Sequence, residues 1–132
     1  MPFKSAVDKQ KDISFFKAYG RVATSDILKE INTSITKKRN AGISKKLIDL
    51  TGADLHIKLQ ESQTIVAMLK RLSATLRTEK LALLVGKLPK DLDMTALVKL
   101  INKPGSRIRI FFKREEAVSF LMRNTSAMSS AD

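Results

Sequence analysis

The side chains best suited to chemistry are two carboxylates and one imidazole that lie close together in the chain. Asp49 and Asp54 flank the end of a short apolar segment, and His56 is the single histidine of the sequence. Ligands of open α/β sheets gather where parallel strands end, so carboxylates there could serve as a general acid or base. Two carboxylates near a strand end are common, however, and Asp54 is better explained as a turn or cap residue and Asp49 as part of the strand. We therefore expect no catalytic residue among them.

Other signatures of catalysis and cofactor binding are missing from the sequence. It contains no glycine-rich phosphate loop, no G-x-x-x-x-G-K-[ST] motif and no G-x-S-x-G nucleophile elbow. With one histidine and no cysteine, the chain has neither the ligands of a His-rich or thiolate metal site nor a disulfide. These absences predict a protein that is not an enzyme and that uses no metal and no cofactor.

The charge of the chain is strongly positive, with 25 Lys and Arg against 13 Asp and Glu, a net charge of +12. Such a field attracts nucleic acid, acidic lipid headgroups or acidic proteins, although it can also merely keep a protein soluble. The densest basic clusters, at residues 37–46 and 107–114, are not interleaved with aromatics in the way that single-strand binders require. The charge therefore predicts weak, salt-sensitive and sequence-independent affinity for nucleic acid.

Apolar periodicity divides the chain into alternating strands and helices. The run at 81–85 is apolar on both faces, which predicts a central parallel strand covered by helices. The order of elements is β-β-α-β-α-β-α-β-α, and it predicts an α/β fold with a mixed, mostly parallel sheet of about five strands flanked by helices. The elements are a hairpin within residues 3–19, strands at 46–50, 80–85 and 107–112, and helices at 24–39, 60–77, 93–102 and from 115 onward.

These elements are expected to form one domain over residues 1–122, followed by a disordered tail at 123–132 that is small and polar. No apolar run approaches the length that crosses a bilayer, and the N-terminus lacks the apolar core of a signal peptide, so we expect a cytoplasmic protein. The longest helix carries apolar side chains at helical spacing, which predicts a buried stripe of Ile65, Met68, Leu69, Leu72 and Leu76.

Three stretches of the sequence, in this order and at this spacing, resemble the SpoIIAA-like branch of the STAS superfamily. Residues 19–26 resemble its strand, "G-x-v-t-x-x-D" turn and helix opening, and residues 47–54 resemble its "L-h-D-L-x-x-h-D" strand and turn. Residues 110–121 resemble its closing "V-F-x-x-x-x-E-A-h-x-W-L" strand and helix, with Phe120 where the family often has tryptophan. The resemblance covers nearly the whole domain, and it implies a STAS-like (SpoIIAA-like) fold.

The resemblance also implies a binding or signalling role, with a protein partner or a small apolar ligand or lipid. In the anti-sigma antagonist branch, a phosphorylatable serine follows the strand and turn at the start of the next helix. Residues 55–59 of this chain contain no serine or threonine, and Ser62 comes later, inside the predicted helix. We therefore expect a regulatory module that works without that phosphorylation.

The predicted functional surface is a loop over residues 51–59 with the first turn of the following helix. It leaves the carboxyl end of a predicted parallel strand, where ligands of α/β sheets usually bind. The alternative is that its three apolar side chains, at positions 55, 57 and 59, merely plug the edge of the sheet. We expect a protein partner or a small apolar ligand, with nucleic acid or an acidic surface as the alternative. The sequence also leaves open whether the protein forms a homodimer. The candidate binding residues are Thr51, Gly52, Asp54, Leu55, His56, Ile57 and Lys58.

Overall fold

The computed structural model describes residues 3–36, 45–57, 59–75, 79–86 and 106–123. Within these ranges the chain forms strands and helices in the order β-β-β-α-β-β-α-β-β-α. They are β1 (Phe3–Asp8), β2 (Ile13–Ala18), β3 (Gly20–Ala23), α1 (Thr24–Thr36), β4 (Lys45–Asp49), β5 (Ala53–His56), α2 (Leu59–Thr75), β6 (Lys80–Leu84), β7 (Ile108–Phe111) and α3 (Arg114–Met122).

The main sheet has five strands in the order β1-β2-β4-β6-β7. β1 runs antiparallel to β2, whereas the pairs β2·β4, β4·β6 and β6·β7 are parallel. The predicted hairpin and the prediction of a mixed, mostly parallel sheet flanked by helices are therefore confirmed.

Two apolar clusters cover the two faces of this sheet. On one face, Ile48 and Leu83 pack with Ile31 of α1 and Leu69 of α2. On the other face, Leu47 and Leu84 pack with α3, whose predicted inward side chains Ala117, Phe120 and Leu121 are all buried. Consecutive strand residues alternate between the two clusters, as the pleat of a strand requires.

A second, two-stranded sheet corrects the predicted order of elements. β3 and β5 pair in parallel, with Gly20 beside Ala53 and Val22 beside Leu55. The prediction of a loop over residues 51–59 is wrong, because residues 53–56 form β5. The missed signal is a period of two, since Leu55 is turned inward whereas Asp54 and His56 are exposed.

The central position predicted for the strand at 81–85 is also corrected. Every residue of β6 is buried, as predicted, but β4 occupies the middle of the five strands and β6 lies between β4 and β7. Both strands are covered on both faces. The burial of β4 on both faces could not be recognised from its sequence, because Lys46 and Asp49, although buried, interrupt its apolar run.

Several predictions concern residues outside the described ranges. These are the helix at 93–102, the ends of the first two helices at 37–39 and 76–77, and the tail at 124–132. Of the predicted stripe of α2, Ile65 and Leu69 are buried, whereas Met68 and Leu72 are half-buried. No helix within the described part of the chain is long and apolar enough to span a membrane.

Candidate functional site at the carboxyl edge of the sheet

A tight turn follows β4 at the carboxyl edge of the sheet. The backbone N–H of Thr51 donates to Oδ1 of Asp49 at 2.9 Å, and the Thr51 hydroxyl donates to the same oxygen at 2.5 Å. The N–H of Ala53 then donates to the carbonyl oxygen of Leu50 at 3.2 Å, which closes the turn. This geometry exposes Thr51 and Gly52 while it buries Asp49 beneath them.

The neighbouring strands end against this turn. A Cβ atom built on Gly86, just after β6, would lie 3.6 Å from Cα of Thr51. One built on Gly52 would lie 3.6 Å from the carbonyl oxygen of Ala18, at the end of β2, and 3.9 Å from Cε of Lys17. The carboxyl ends of β2, β4 and β6 thus meet at an exposed threonine and two exposed glycines.

Asp49 forms an ion pair with the first residue of α3. Nη1 of Arg114 lies 3.6 Å from Oδ2 of Asp49, whose side chain is 9% exposed, against 55% for Arg114. The Arg114 guanidinium also lies over the ring of Phe15 in β2, 5.1 Å from its centroid. Both carboxylate oxygens of Asp49 therefore have partners, one in the turn and one in the ion pair.

An exposed aromatic ring borders the same edge. Tyr19 connects β2 to β3 and is 44% exposed. The ammonium groups of Lys4 and Lys17 lie 5.3 and 5.7 Å from its ring centroid, within the range of cation–π contacts. We refer to the exposed residues around the turn, namely Lys17, Tyr19, Thr51, Gly52 and Arg114, as the carboxyl-edge surface.

The structure separates the predicted site residues into three groups. Thr51 and Gly52 belong to the carboxyl-edge surface. Asp54 and His56 form an exposed pair along β5, with Oδ2 and Nε2 2.8 Å apart. Leu55 and Ile57 are half-buried and pack against the core cluster that α1 and α2 cover. Lys58 lies outside the described residues.

Side-chain hydrogen bonds also fix the starts of α1 and α2. The N–H of Ala23 donates to Oδ2 of Asp26 at 2.9 Å, the reach-back contact of a capping box. The buried Thr24 hydroxyl donates to Oε1 of Glu61, in the first turn of α2, at 2.9 Å. β3 is followed immediately by α1, and β5 ends three residues before α2 begins, so these contacts join the two helices that follow the second sheet.

Sequence reasoning missed three of the five residues of this surface. Lys17, Tyr19 and Arg114 are far from the turn in sequence, and only the parallel pairing of β2 and β4 and the packing of α3 bring them to it. One signal was available: Tyr19 and Thr51 each stand before a glycine that leads into a strand of the second sheet. Within the described ranges, no group of three or more His, Asp or Glu side chains could hold a metal ion.

Comparison with solved structures identifies the class of fold. The chain is similar to the crystal structure of an uncharacterised protein of the DUF3478 family, with a SpoIIAA-like fold, from Shewanella loihica PV-4. The similarity covers 90% of this chain and 93% of that one, with a TM-score of 0.50 and 18% sequence identity. The fold is therefore SpoIIAA-like, as the resemblance predicted. No family model and no curated protein matches the sequence.

Proposed function

We propose that this protein is a non-enzymatic binding module that captures an acidic segment of a partner protein at its carboxyl-edge surface. The observation that carries the proposal is the exposed Thr51–Gly52 turn, which lies between the cationic side chains of Lys17 and Arg114. Ligands of open α/β sheets gather at this edge because the strands end there and leave backbone groups accessible.

The charges around the turn favour an acidic partner. Lys17 and Arg114 are exposed, and the acid between them, Asp49, is buried and pairs with Arg114, so among the described residues Lys17 supplies the uncompensated positive charge beside the turn. The net charge of +12 adds a long-range attraction for acidic surfaces, which raises association rates and fixes the orientation of an encounter. Exposed Tyr19 supplies apolar contact area beside the cations, as aromatic residues commonly do in protein interfaces.

Two features argue against an apolar-ligand site and against acid–base catalysis at this edge. Leu55 and Ile57 pack on the core, so they are not available as the walls of a site for an apolar ligand. The Asp54–His56 pair is open to solvent, with side chains 76% and 42% exposed, and therefore lacks the water-excluded setting in which acid–base groups are most effective.

Single-stranded nucleic acid is the second candidate, and the environment of Tyr19 supports it. Two lysine ammonium groups lie near one exposed aromatic ring. Proteins that bind single strands without sequence preference combine such stacking rings with cations that contact the phosphates. Binding of this kind weakens steeply as salt rises, because counterions are released from the nucleic acid.

The test compares wild-type protein with two variants of the carboxyl-edge surface. Lys17→Glu reverses one charge, and Gly52→Gln adds a bulky side chain where a Cβ meets only ordinary van der Waals distances. Immobilised proteins are exposed to native cell extract, and the captured proteins are crosslinked and identified by mass spectrometry. We expect an acidic partner that wild type captures and that both variants lose.

The matched control is Lys70→Glu, which makes the same change of charge at an exposed position of α2. It should retain the partner. Capture of the same proteins by wild type and by all three variants would contradict the proposal. Titration of a short single-stranded oligonucleotide tests the second candidate, because Tyr19 is the only tyrosine in a chain without tryptophan and its fluorescence reports on this surface.

A further inference from the structure

The outer edge of β1 carries no strand partner within the described part of the chain. β1 is six residues long, and Lys4, Ser5, Ala6 and Val7 are all exposed, so neither face of the strand is covered at its centre. Val7 is 43% exposed, which makes it one of the few large apolar side chains that the described residues leave on the surface. An open edge of this kind is a ready template for another strand.

The charges of β1 are self-complementary about its centre. Lys4 and Asp8 lie on the same face of the strand, since they are four residues apart, and Ala6 lies midway between them. Two such strands paired antiparallel about Ala6 place each Lys4 opposite the Asp8 of the other copy. A parallel arrangement would instead bring like charges together. The small side chains of Ser5 and Ala6 leave room for close approach at the centre.

We propose that a second copy of this chain docks on β1, so that two antiparallel β1 strands join two main sheets into one continuous sheet. The two-fold axis passes between the two Ala6 residues and relates two identical Lys4–Asp8 pairs. Each copy uses the same patch, as in other two-fold symmetric dimers. Opposite charges directly across an antiparallel pair are stabilising, and like charges there are destabilising.

A lysine on an edge strand also has a protective use, because charge discourages pairing between edges. Protection of the edge and dimerisation through the edge can be distinguished at Asp8. An edge protected by charge needs no acid opposite the lysine, whereas a dimer depends on both members of the pair. The contact is short compared with the roughly 1,200–2,000 Å² of a standard interface, so association must be followed over a wide range of concentration.

Sedimentation velocity on the full chain, from about 10 μM to about 1 mM, tests the proposal. Lys4→Glu alone places two acids opposite each other in each pair, and Asp8→Lys alone places two bases there. We expect either change to raise the dissociation constant at least about tenfold. An equimolar mixture of the two variants restores opposite charges in both pairs, so it should form a heterodimer about as readily as wild type.

Two controls keep the outcomes distinct. Lys70→Glu on α2 reproduces the change in net charge and should leave the dimer unchanged. Asp8 also accepts hydrogen bonds from the N–H groups of Gln10 and Lys11, so Asp8→Lys could unfold the hairpin. Asp8→Asn keeps an acceptor oxygen for the turn and should still weaken the dimer. A wild type that stays monomeric throughout, or a dimer that Lys4→Glu leaves intact, would overturn the proposal.

Discussion

The Nζ atom of Lys80 donates a hydrogen bond to the backbone carbonyl oxygen of Phe120 at 3.0 Å. It donates a second one to the carbonyl oxygen of Arg123 at 2.8 Å, and it lies 5.1 Å from the Phe120 ring centroid. Lys80 begins β6 and is only 4% exposed. A cation from the sheet thus satisfies carbonyl groups at the C-terminal end of α3, where the helix dipole favours positive charge.

Replacing Lys80 by methionine should destabilise the fold. The change keeps the apolar stem but removes the charged donor to the carbonyl oxygens of Phe120 and Arg123, so that within the described part of the chain Phe120 keeps only the N–H of Arg123 at 3.4 Å. Hydrogen bonds of charged groups contribute about 1.5–3 kcal/mol. We expect the free energy of unfolding to fall by about 1–3 kcal/mol in urea titrations. Lys70→Met, at an exposed position of α2, is the matched control and should change it by less than about 0.5 kcal/mol. Equal effects of the two changes would exclude the capping role.

Lys80 should also impose a dependence of stability on pH. Burial of its side chain lowers the pKa of Lys80 below the ordinary lysine value, and neighbouring cations lower it further. Between the lowered folded pKa and the ordinary value, the unfolded chain binds more protons than the folded one, so stability rises with pH in that window. The contributing cations are Arg107, Lys45, Arg123 and Arg109.

The measurement is urea unfolding of wild type and Lys80→Met at about pH 7 and about pH 10. Wild type should gain more stability than the variant between the two values, because the variant has no titrating group at this position. An identical gain in both proteins would show that the pKa of Lys80 does not differ between the folded and unfolded states.

Truncation of Leu83 to alanine should be strongly destabilising. Leu83 is 5% exposed in β6 and belongs to the larger core cluster. Removal of such a side chain costs about 2–5 kcal/mol, through lost burial and the cavity that remains. Val7→Ala, on the exposed edge strand, should cost less than about 0.5 kcal/mol in the same chemical unfolding assay. A loss below that value for Leu83 would contradict the placement of β6.

The double change Leu55→Ser with Ile57→Ser tests whether these two side chains stabilise the core or form a binding surface. Both side chains pack against the core, so we expect it to lower the free energy of unfolding by about 2–4 kcal/mol. Asp54→Ser with His56→Ser alters the exposed side of the same segment and should leave the melting temperature nearly unchanged. If the Leu55/Ile57 variant melts like wild type, these side chains do not contribute to the core.

Two glycines at the starts of the strands of the second sheet, Gly20 as the first residue of β3 and Gly52 just before β5, should respond differently to alanine. Gly20 has a φ of +67°, a conformation that costs L-residues about 1–2 kcal/mol, and a Cβ there would meet no atom within 4 Å. Gly20→Ala should therefore lower stability by about 1 kcal/mol through the backbone alone. Gly52→Ala carries no such penalty and should be neutral or slightly stabilising by thermal unfolding. Similar losses at both positions would contradict this difference.

The sequence by itself determined those strands and helices in which apolar residues recur at regular spacing. The alternation of Ile108 and Ile110 marks β7, the apolar run at 81–85 marks β6, and the spacing of Ile65 and Leu69 marks the buried side of α2. Local periodicity suffices in these cases, because burial on one or two faces leaves a direct pattern of apolar residues. The SpoIIAA-like fold was implied instead by the resemblance of residues 19–26, 47–54 and 110–121 to motifs of that family.

Only the tertiary structure decided which residues meet at the edge of the sheet. Asp49 faces Arg114, and Lys17 lies beside Gly52, because β2 and β4 pair in parallel and α3 begins above the end of β4. The burial of Lys80 likewise depends on carbonyl groups that α3 supplies. The local sequence around a charged residue is the same whether its hydrogen-bond partners are water molecules or groups distant in the chain. These contacts therefore could not be inferred from sequence spacing.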